Sequence, residues 1–377
     1  MKIAVIRQKF VNYGGAESFV AQYADVMANQ GHEIHIFANQ WTESKHPQIH
    51  IHPVPALKIN SFIRSLSFAW FAGREVAKGS YDIVQSHERI FHQDIYRAGD
   101  GCHRQWLEIR KKNLSPWKRW SLRFNLFHRF ILSRERAIFE TEACKKVIAI
   151  SQMVKRDIES FYKVPENKIE VIYNGVDLER FHPQNRWGAG KAVRQKLGLR
   201  EDEVAILHVG SGFERKGTGA ILQATEALNE FPWRLVLLGK ADWPRRLAGL
   251  PASIRDRIIA LDPVDDVENY YAAADIFILP SLYEPFGNAN LEALATGLPT
   301  VVGKNCGAAE VIDHRINGLR LEQVDDSDEI ACALNYLSDK SIRREMGQKA
   351  RVLAETFTGR RNADEMIRVY EGLLSKK

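Results

Sequence analysis

The sequence predicts an α/β protein of two domains, each a parallel sheet wound by helices on both faces. Three observations carry that expectation. A chain of 377 residues exceeds what one ordinary hydrophobic core accommodates. Short apolar, β-branched runs alternate with helical patterns from end to end, at 3–6, 33–38, 82–85 and 146–150 and again at 203–209, 234–238, 276–279 and 300–302. Between these two sets lies Tyr173-Asn174-Gly175-Val176-Asp177 and a polar stretch with Pro183, Asn185, Gly188 and Gly190, which reads as a linker. The expected domains are 1–170 and 171–357, with 358–377 packing back on the first.

The first strand ends in a loop over 8–13, and Gly14-Gly15 precede a helix that starts with Ala16-Glu17 and ends near Gln30-Gly31. Paired glycines at a helix start allow a ligand phosphate to pass close to the backbone, although an ordinary turn has the same composition. A strand-like run from Asp94 ends in Tyr96-Arg97-Ala98-Gly99-Asp100. In the second half, strand 205–209 runs into Gly210-Ser211-Gly212-Phe213-Glu214-Arg215-Lys216-Gly217, with a helix from about Thr218. Its glycines permit close backbone approach to an anion, and Arg215 and Lys216 place cations beside a pyrophosphate. The spacing fits neither a Walker loop nor Gly-x-Gly-x-x-Gly.

Glu284 and Glu292 bracket Glu-Pro-Phe-Gly-Asn-Ala-Asn-Leu-Glu. A helix opening near Gly287, with an apolar stripe of Leu291, Leu294, Ala295 and Leu298, ends at Gly297 and Pro299. Its amino-terminal end seats a diphosphate, Glu284 stands at the mouth, and Glu292 reaches vicinal ribose hydroxyls. Spacing alone leaves open two solvated glutamates at a helix start.

Composition narrows the function classes. No stretch approaches the roughly 20 apolar residues that span a bilayer, and the amino terminus runs straight into a strand, so a cytoplasmic location is expected. Cys102, Cys144, Cys306 and Cys332 are scattered and read as reduced thiols. His50 and His52 alternate along an apparent strand, and with no metal-binding spacing in the chain neither a metal nor a cofactor is expected. The net charge of +6 is local: between 104 and 136 ten Lys or Arg face only Glu108 and Glu135.

Within that basic segment Trp117, Trp120, Phe124, Phe127 and Ile131 form one stripe of a helix, with a second apolar row of Leu122, Leu126 and Phe130. Trp106, Lys111, Lys112, Trp117, Lys118, Arg119, Trp120 and Arg123 are therefore expected to meet an anionic membrane surface. A helix packed on its own domain with a solvated basic face is the plainer alternative. No nucleic-acid-binding motif accompanies the charge, so nucleic acid is not expected as a partner.

Taken in order, Gly14-Gly15, Asn174 to Asp177, Arg215-Lys216-Gly217, Glu284 with Glu292, Ala-Thr-Gly-Leu-Pro, and Gly307-Ala308-Ala309-Glu310 with Asn317-Gly318 resemble glycosyltransferase family 4 over nearly the whole chain. The resemblance implies the GT-B fold: two Rossmann-like domains facing a central cleft, with a carboxyl-terminal helix crossing back to the first. It implies a retaining, metal-independent hexosyltransferase using a nucleotide diphosphate sugar. Lys216 and Arg215 would then neutralise the pyrophosphate. Glu292 would hold the ribose and Glu284 the sugar ring, with Phe286, Gly287 and Asn288 supplying backbone N–H groups. Gly14, Gly15 and Asn174 complete the expected donor site.

Two departures are informative. Ser211 stands where many family members carry an arginine, and Asp100 where many carry a first-domain histidine; His87 and His103 compete for that role. Both departures resemble the lipopolysaccharide core glucosyltransferases of the family. The expected reaction is thus transfer from UDP-glucose to a lipopolysaccharide core or other lipid-linked acceptor, by a peripheral protein on the inner membrane, with Asp100, Glu284 and Lys216 catalytic. A GDP-mannose-dependent mannosyltransferase, a nucleotide-sugar epimerase of the same fold and a non-catalytic lipid-binding module are the rivals.

Overall fold

The computed structural model describes residues 1–10, 15–44, 46–112, 114–228 and 231–375, without the side chains of 15–18 and 123. Gly14 therefore lies outside the described residues, and Gly15 is described only as the first residue of a helix. The chain divides into two units, Met1–Asn174 with Gly359–Lys377, and Gly175–Thr358.

In the first unit the strands are β1 (Lys2–Ile6), β2 (Lys9–Phe10), β3 (Glu33–Ala38), β4 (Gln40–Trp41), β5 (Ile49–Pro53), β6 (Ile83–Ser86), β7 (Ile95–Ala98), β8 (Lys146–Ala149) and β9 (Ile169–Val171). Seven of them form one sheet in the order β5-β3-β1-β6-β7-β8-β9, and β2 pairs with β4 separately. The second unit has β10 (Val204–Val209), β11 (Trp233–Leu238), β12 (Ile258–Leu261), β13 (Ile276–Leu279), β14 (Thr300–Gly303) and β15 (Gly318–Leu321), ordered β12-β11-β10-β13-β14-β15. Pairing is parallel throughout the named strands, as helices on both faces require. Both units have the doubly wound form of the GT-B fold.

In the second sheet the chain builds outward from β10 through β11 to β12, then returns to place β13 on the other side of β10. The loops after β10 and β13 thus diverge at the switch point, where open parallel sheets receive ligands. The first unit has the same logic between β1 and β6. Central strands such as β13 and β14 are buried at every residue, because helices cover both faces.

Helix Gly359–Leu374 belongs to the first unit although it ends the chain. Its residues Ala363, Met366, Val369 and Tyr370 recur at helical spacing and join the core formed by Tyr23, Met27 and strands β1 and β3. The Tyr370 hydroxyl shares a hydrogen bond with Tyr23 and donates to Gln85 Oε1 at 2.6 Å. The two chain crossings lie side by side, since Val176 bridges Thr358.

Candidate active site

The loop after β10 and the loop after β13 are tied through their backbones, Leu282 donating to the Arg215 carbonyl at 2.9 Å. Gly217 makes this approach possible: it sits at φ 74°, and a Cβ there would lie 2.1 Å from the Pro280 carbonyl oxygen. Behind it, buried His208 bridges Ile278 O (2.9 Å) and Thr218 Oγ1 (3.0 Å), fixing the start of helix Thr218–Ala224. Burial pushes the His208 imidazole down to about 4, so it braces the loop uncharged.

Glu284 unites the loops. Its Oε2 accepts from Lys216 Nζ at 2.5 Å and from Arg215 Nη1 at 2.7 Å. Burial raises the Glu284 carboxyl, but the charges of Lys216 and Arg215 outweigh it and leave the group below its ordinary range. The structure therefore places both expected pyrophosphate cations on the carboxylate expected at the sugar. One carboxylate oxygen thus holds both side chains in place.

Glu292 stands in a different environment. It is the fifth residue of helix Asn288–Ala295, whose preceding Gly287 has φ 87°. Its Oε2 accepts from the Tyr271 hydroxyl at 2.8 Å. Burial outweighs that hydrogen bond and raises the Glu292 carboxyl above its ordinary range. A Cβ at Gly287 would lie 2.7 Å from Asn290 Nδ2 and 2.9 Å from Cys306 Sγ, so the turn between the glutamates has no room for a side chain. The Phe286 side chain is buried, and its carbonyl accepts from Ala308 N–H (2.8 Å) and the Cys306 thiol (2.9 Å). Cys306 and Tyr271 are supports that sequence reasoning missed, because an isolated cysteine or tyrosine carries no motif; only the fold brings them to the glutamates.

Of the other expected donor residues, Asn174 is buried in the first unit and accepts from Arg97 Nη2 at 2.7 Å. Ser211 Oγ accepts from the Lys240 N–H at 3.1 Å and brings no charge, so the loop's cations are those of residues 215 and 216.

In the first unit the loops after β1, β6 and β7 bring together Arg7, Glu88 and Asp100. Arg7 Nη1 lies 3.5 Å from Glu88 Oε1 and 3.7 Å from Asp100 Oδ2. The Asp100 side chain is 44% exposed. Its competitors are more enclosed. His87 is buried, with its Nε2 2.9 Å from Gln85 Nε2, and burial together with Arg97 and Arg7 holds it well below the usual imidazole range. His103 pairs with His128 at 3.0 Å and is pushed down to about 3, by burial and by Arg89.

The family profile described as Glycosyltransferase Family 4 matches residues 13–180, and that described as Glycosyl transferases group 1 matches residues 191–353. The chain belongs to glycosyltransferase family 4. Among its relatives is an uncharacterised glycosyltransferase of Methanocaldococcus jannaschii, 26% identical over 98% of both chains. The lipopolysaccharide glucosyltransferase WaaG of Escherichia coli is 23% identical, over 94% of this chain and 95% of that one. The crystal structure of WaaG superposes with a TM-score of 0.85 over 98% of this chain and all of that one, at 21% identity. Anabaena HepE, solved in complex with UDP-glucose, gives a TM-score of 0.75 at 18% identity, over 99% of this chain and 100% of that one. This family 4 glycosyltransferase is thus a hexosyltransferase of GT-B architecture.

Its basic segment is built differently from the expected single stripe. Asn125 ends helix Pro116–Phe124 and, through its side chain, caps helix Leu126–Glu140 by accepting from His128 N–H. The continuous stripe is therefore broken. Ile131 turns into the core, while Trp117, Trp120 and Phe124 remain exposed, Trp117 stacking on Trp120 at 5.5 Å between ring centroids and Phe124 lying tilted against Trp120 at 4.6 Å. Leu126 is exposed too, whereas Phe130 packs edge-on against Phe62 and Phe91.

Trp106 is half-buried in the preceding helix, His103–Lys112; Lys112, Lys118 and Arg119 are exposed and Lys111 is partly so. The side chain of Arg123 is outside the described residues. Of the segment's two acids, Glu135 is fully buried, paired with Arg89 at 3.0 Å and accepting from His103 N–H at 2.7 Å. Glu108 is engaged by Lys111 at 2.8 Å and Arg104 at 3.2 Å. The surface thus presents unsupported aromatics beside a nearly one-signed charge.

Proposed function

We propose that the chain transfers glucose from UDP-glucose, with retention and without a divalent cation, to a lipopolysaccharide core or related lipid-linked acceptor at the cytoplasmic face of the inner membrane. The observation that carries the reading is the shared Glu284 oxygen. A donor diphosphate entering between the loops competes with that oxygen for Lys216 and Arg215. As the glycosidic bond to the diphosphate breaks, negative charge grows on the leaving oxygen, and the two cations follow it. Glu284 is then released toward the sugar hydroxyls. Glu292 accepts from the ribose hydroxyls, a contact made equally in ground and transition states.

The anomeric carbon, oxocarbenium-like in the transition state, is attacked on the face the diphosphate leaves. The acceptor's proton passes to the departing phosphate oxygen, so no second catalytic carboxylate pair is required. Asp100, the most open of the three first-unit candidates, is assigned to the acceptor. The exposed Trp117, Trp120 and Phe124 with Lys112, Lys118 and Arg119 dock the protein on anionic lipid, since tryptophan and lysine together suit the headgroup region. Among the described residues no helix is long and apolar enough to cross a membrane, so attachment on this reading is peripheral.

Purified protein is to be incubated with UDP-glucose, UDP-galactose and GDP-mannose, with and without a heptose-terminated lipopolysaccharide acceptor. The expected result is an α-glucosylated acceptor from UDP-glucose alone. A converted donor without transfer would make the protein an epimerase, and mannosyl transfer would reassign the base and sugar.

A further inference from the structure

His50 and His52 look like ordinary alternating strand residues in the sequence, yet the sheet register gives them partners. β3 and β5 align His35 with His50 and Phe37 with His52. On the face of this pair the three imidazoles lie against one another, His35 centred 4.9 Å from His50 and 5.0 Å from His52. Glu33, two residues before His35, projects to the same face because strand side chains alternate. Its Oε1 is 2.9 Å from His35 Nε2 and 3.7 Å from His50 Nε2. One ligand atom from each of Glu33, His35 and His50 falls within a span of 4.8 Å.

Metal–nitrogen and metal–oxygen bonds of about 2.0–2.1 Å at tetrahedral angles need ligand atoms roughly 3.3 Å apart. The two separations above bracket that value, so small side-chain rotations suffice. We propose that Glu33, His35 and His50 form a site for a divalent metal of the zinc class, clipping the edge strand β5 to β3. Two imidazoles and a carboxylate are the donor set such borderline cations prefer, and they leave a fourth position for water.

The surroundings are arranged accordingly. His35 Nδ1 is 2.7 Å from His52 Nε2, which fixes the imidazole that would ligate through Nε2, as outer partners of metal-bound histidines do. Lys2 Nζ lies 3.7 Å from the same Glu33 Oε1 that faces the two imidazoles. Both side chains are about two-fifths exposed, so Lys2 can swing away when a cation arrives. None of these residues is among those expected to bind the donor. The expectation of no metal rested on spacing along the chain, whereas these ligands converge only through cross-strand register.

The test is calorimetric titration of zinc chloride into the EDTA-stripped full-length protein, with melting followed by circular dichroism. Wild type and the control His46→Ala are expected to bind one equivalent and to melt higher with zinc. His50→Ala and Glu33→Gln, both altered at exposed side chains, should fold as wild type in EDTA. Each should lose affinity by at least ~30-fold, more than the 10–100-fold range for outer-shell changes begins at, and lose the zinc-dependent rise. Cobalt(II) should give visible bands of a four-coordinate centre in wild type and His46→Ala and in neither ligand variant. Undiminished zinc affinity in both variants, or no saturable binding by wild type, would overturn the proposal.

Discussion

Two basic regions of this molecule use their charge in opposite ways. In the second unit Arg215 and Lys216 converge on one oxygen of the largely buried Glu284, at 2.7 and 2.5 Å. In the first unit the segment from Arg104 to Arg136 spreads its cations over exposed helices, and one of its two acids, Glu135, is withdrawn into the core. Charge held at a point recognises one compact anion in a defined geometry. Charge spread over a wet, aromatic-studded surface recognises an extended anionic plane. The first should be sensitive to a single substitution, and the second only to several together.

The largest contrast is expected from Lys216→Ala, which should lower glucosyl transfer by roughly 10²–10³-fold, the usual effect of removing one preorganised transition-state donor. Measured kcat should fall while vesicle binding stays unchanged. The reciprocal change, Lys111, Lys112, Lys118 and Arg119 to Gln together, should abolish cosedimentation with phosphatidylserine vesicles and leave transfer to a soluble acceptor intact. Each surface cation contributes about 1 kcal/mol near an anionic leaflet, so any one substitution alone should weaken binding only several-fold. If a single substitution abolished vesicle binding, the two regions would be alike and the contrast would fail.

Smaller effects separate the two glutamates. Glu284→Gln leaves two partly buried cations without their carboxylate and should cost about 2–3 kcal/mol in denaturant melts. Because the Glu284 carboxyl lies below its unfolded value, its contribution is present above the ordinary carboxylate range and fades as the pH falls through its folded value. The variant should accordingly show a flatter acid limb of stability against pH. Glu292 has the opposite sign. Its carboxyl is raised, so ionisation in the fold opposes stability as pH rises through the carboxylate range toward neutrality. Glu292→Gln should melt at or above the wild-type temperature at pH 7, a residue kept for binding rather than for folding.

The sheet centres were legible in the sequence and the edges were not. Strands buried on both faces, such as β1, β10, β13 and β14, read as continuous apolar runs. The short edge strand β9, Ile-Glu-Val, carries a charge at its centre, and β12, Ile-Ile-Ala-Leu, is an apolar run of only four residues that is partly exposed along its length. Lys216, Glu284 and Glu292 stood out as residues in the sequence, but the pairing of Lys216 and Arg215 with Glu284 did not, since contacts between the loops after β10 and β13 depend on strand order. The break at Asn125 was hidden as well: the apolar period runs through it, and only the capping side chain reveals two helices.

The most direct measurement of the donor-site account is calorimetric titration of UDP into wild type, Lys216→Ala and Glu292→Gln under one buffer and salt. The account predicts saturable binding by wild type and at least a tenfold loss of affinity in each variant, with both remaining folded. Equal affinity across the three proteins would contradict it and return these residues to a structural role.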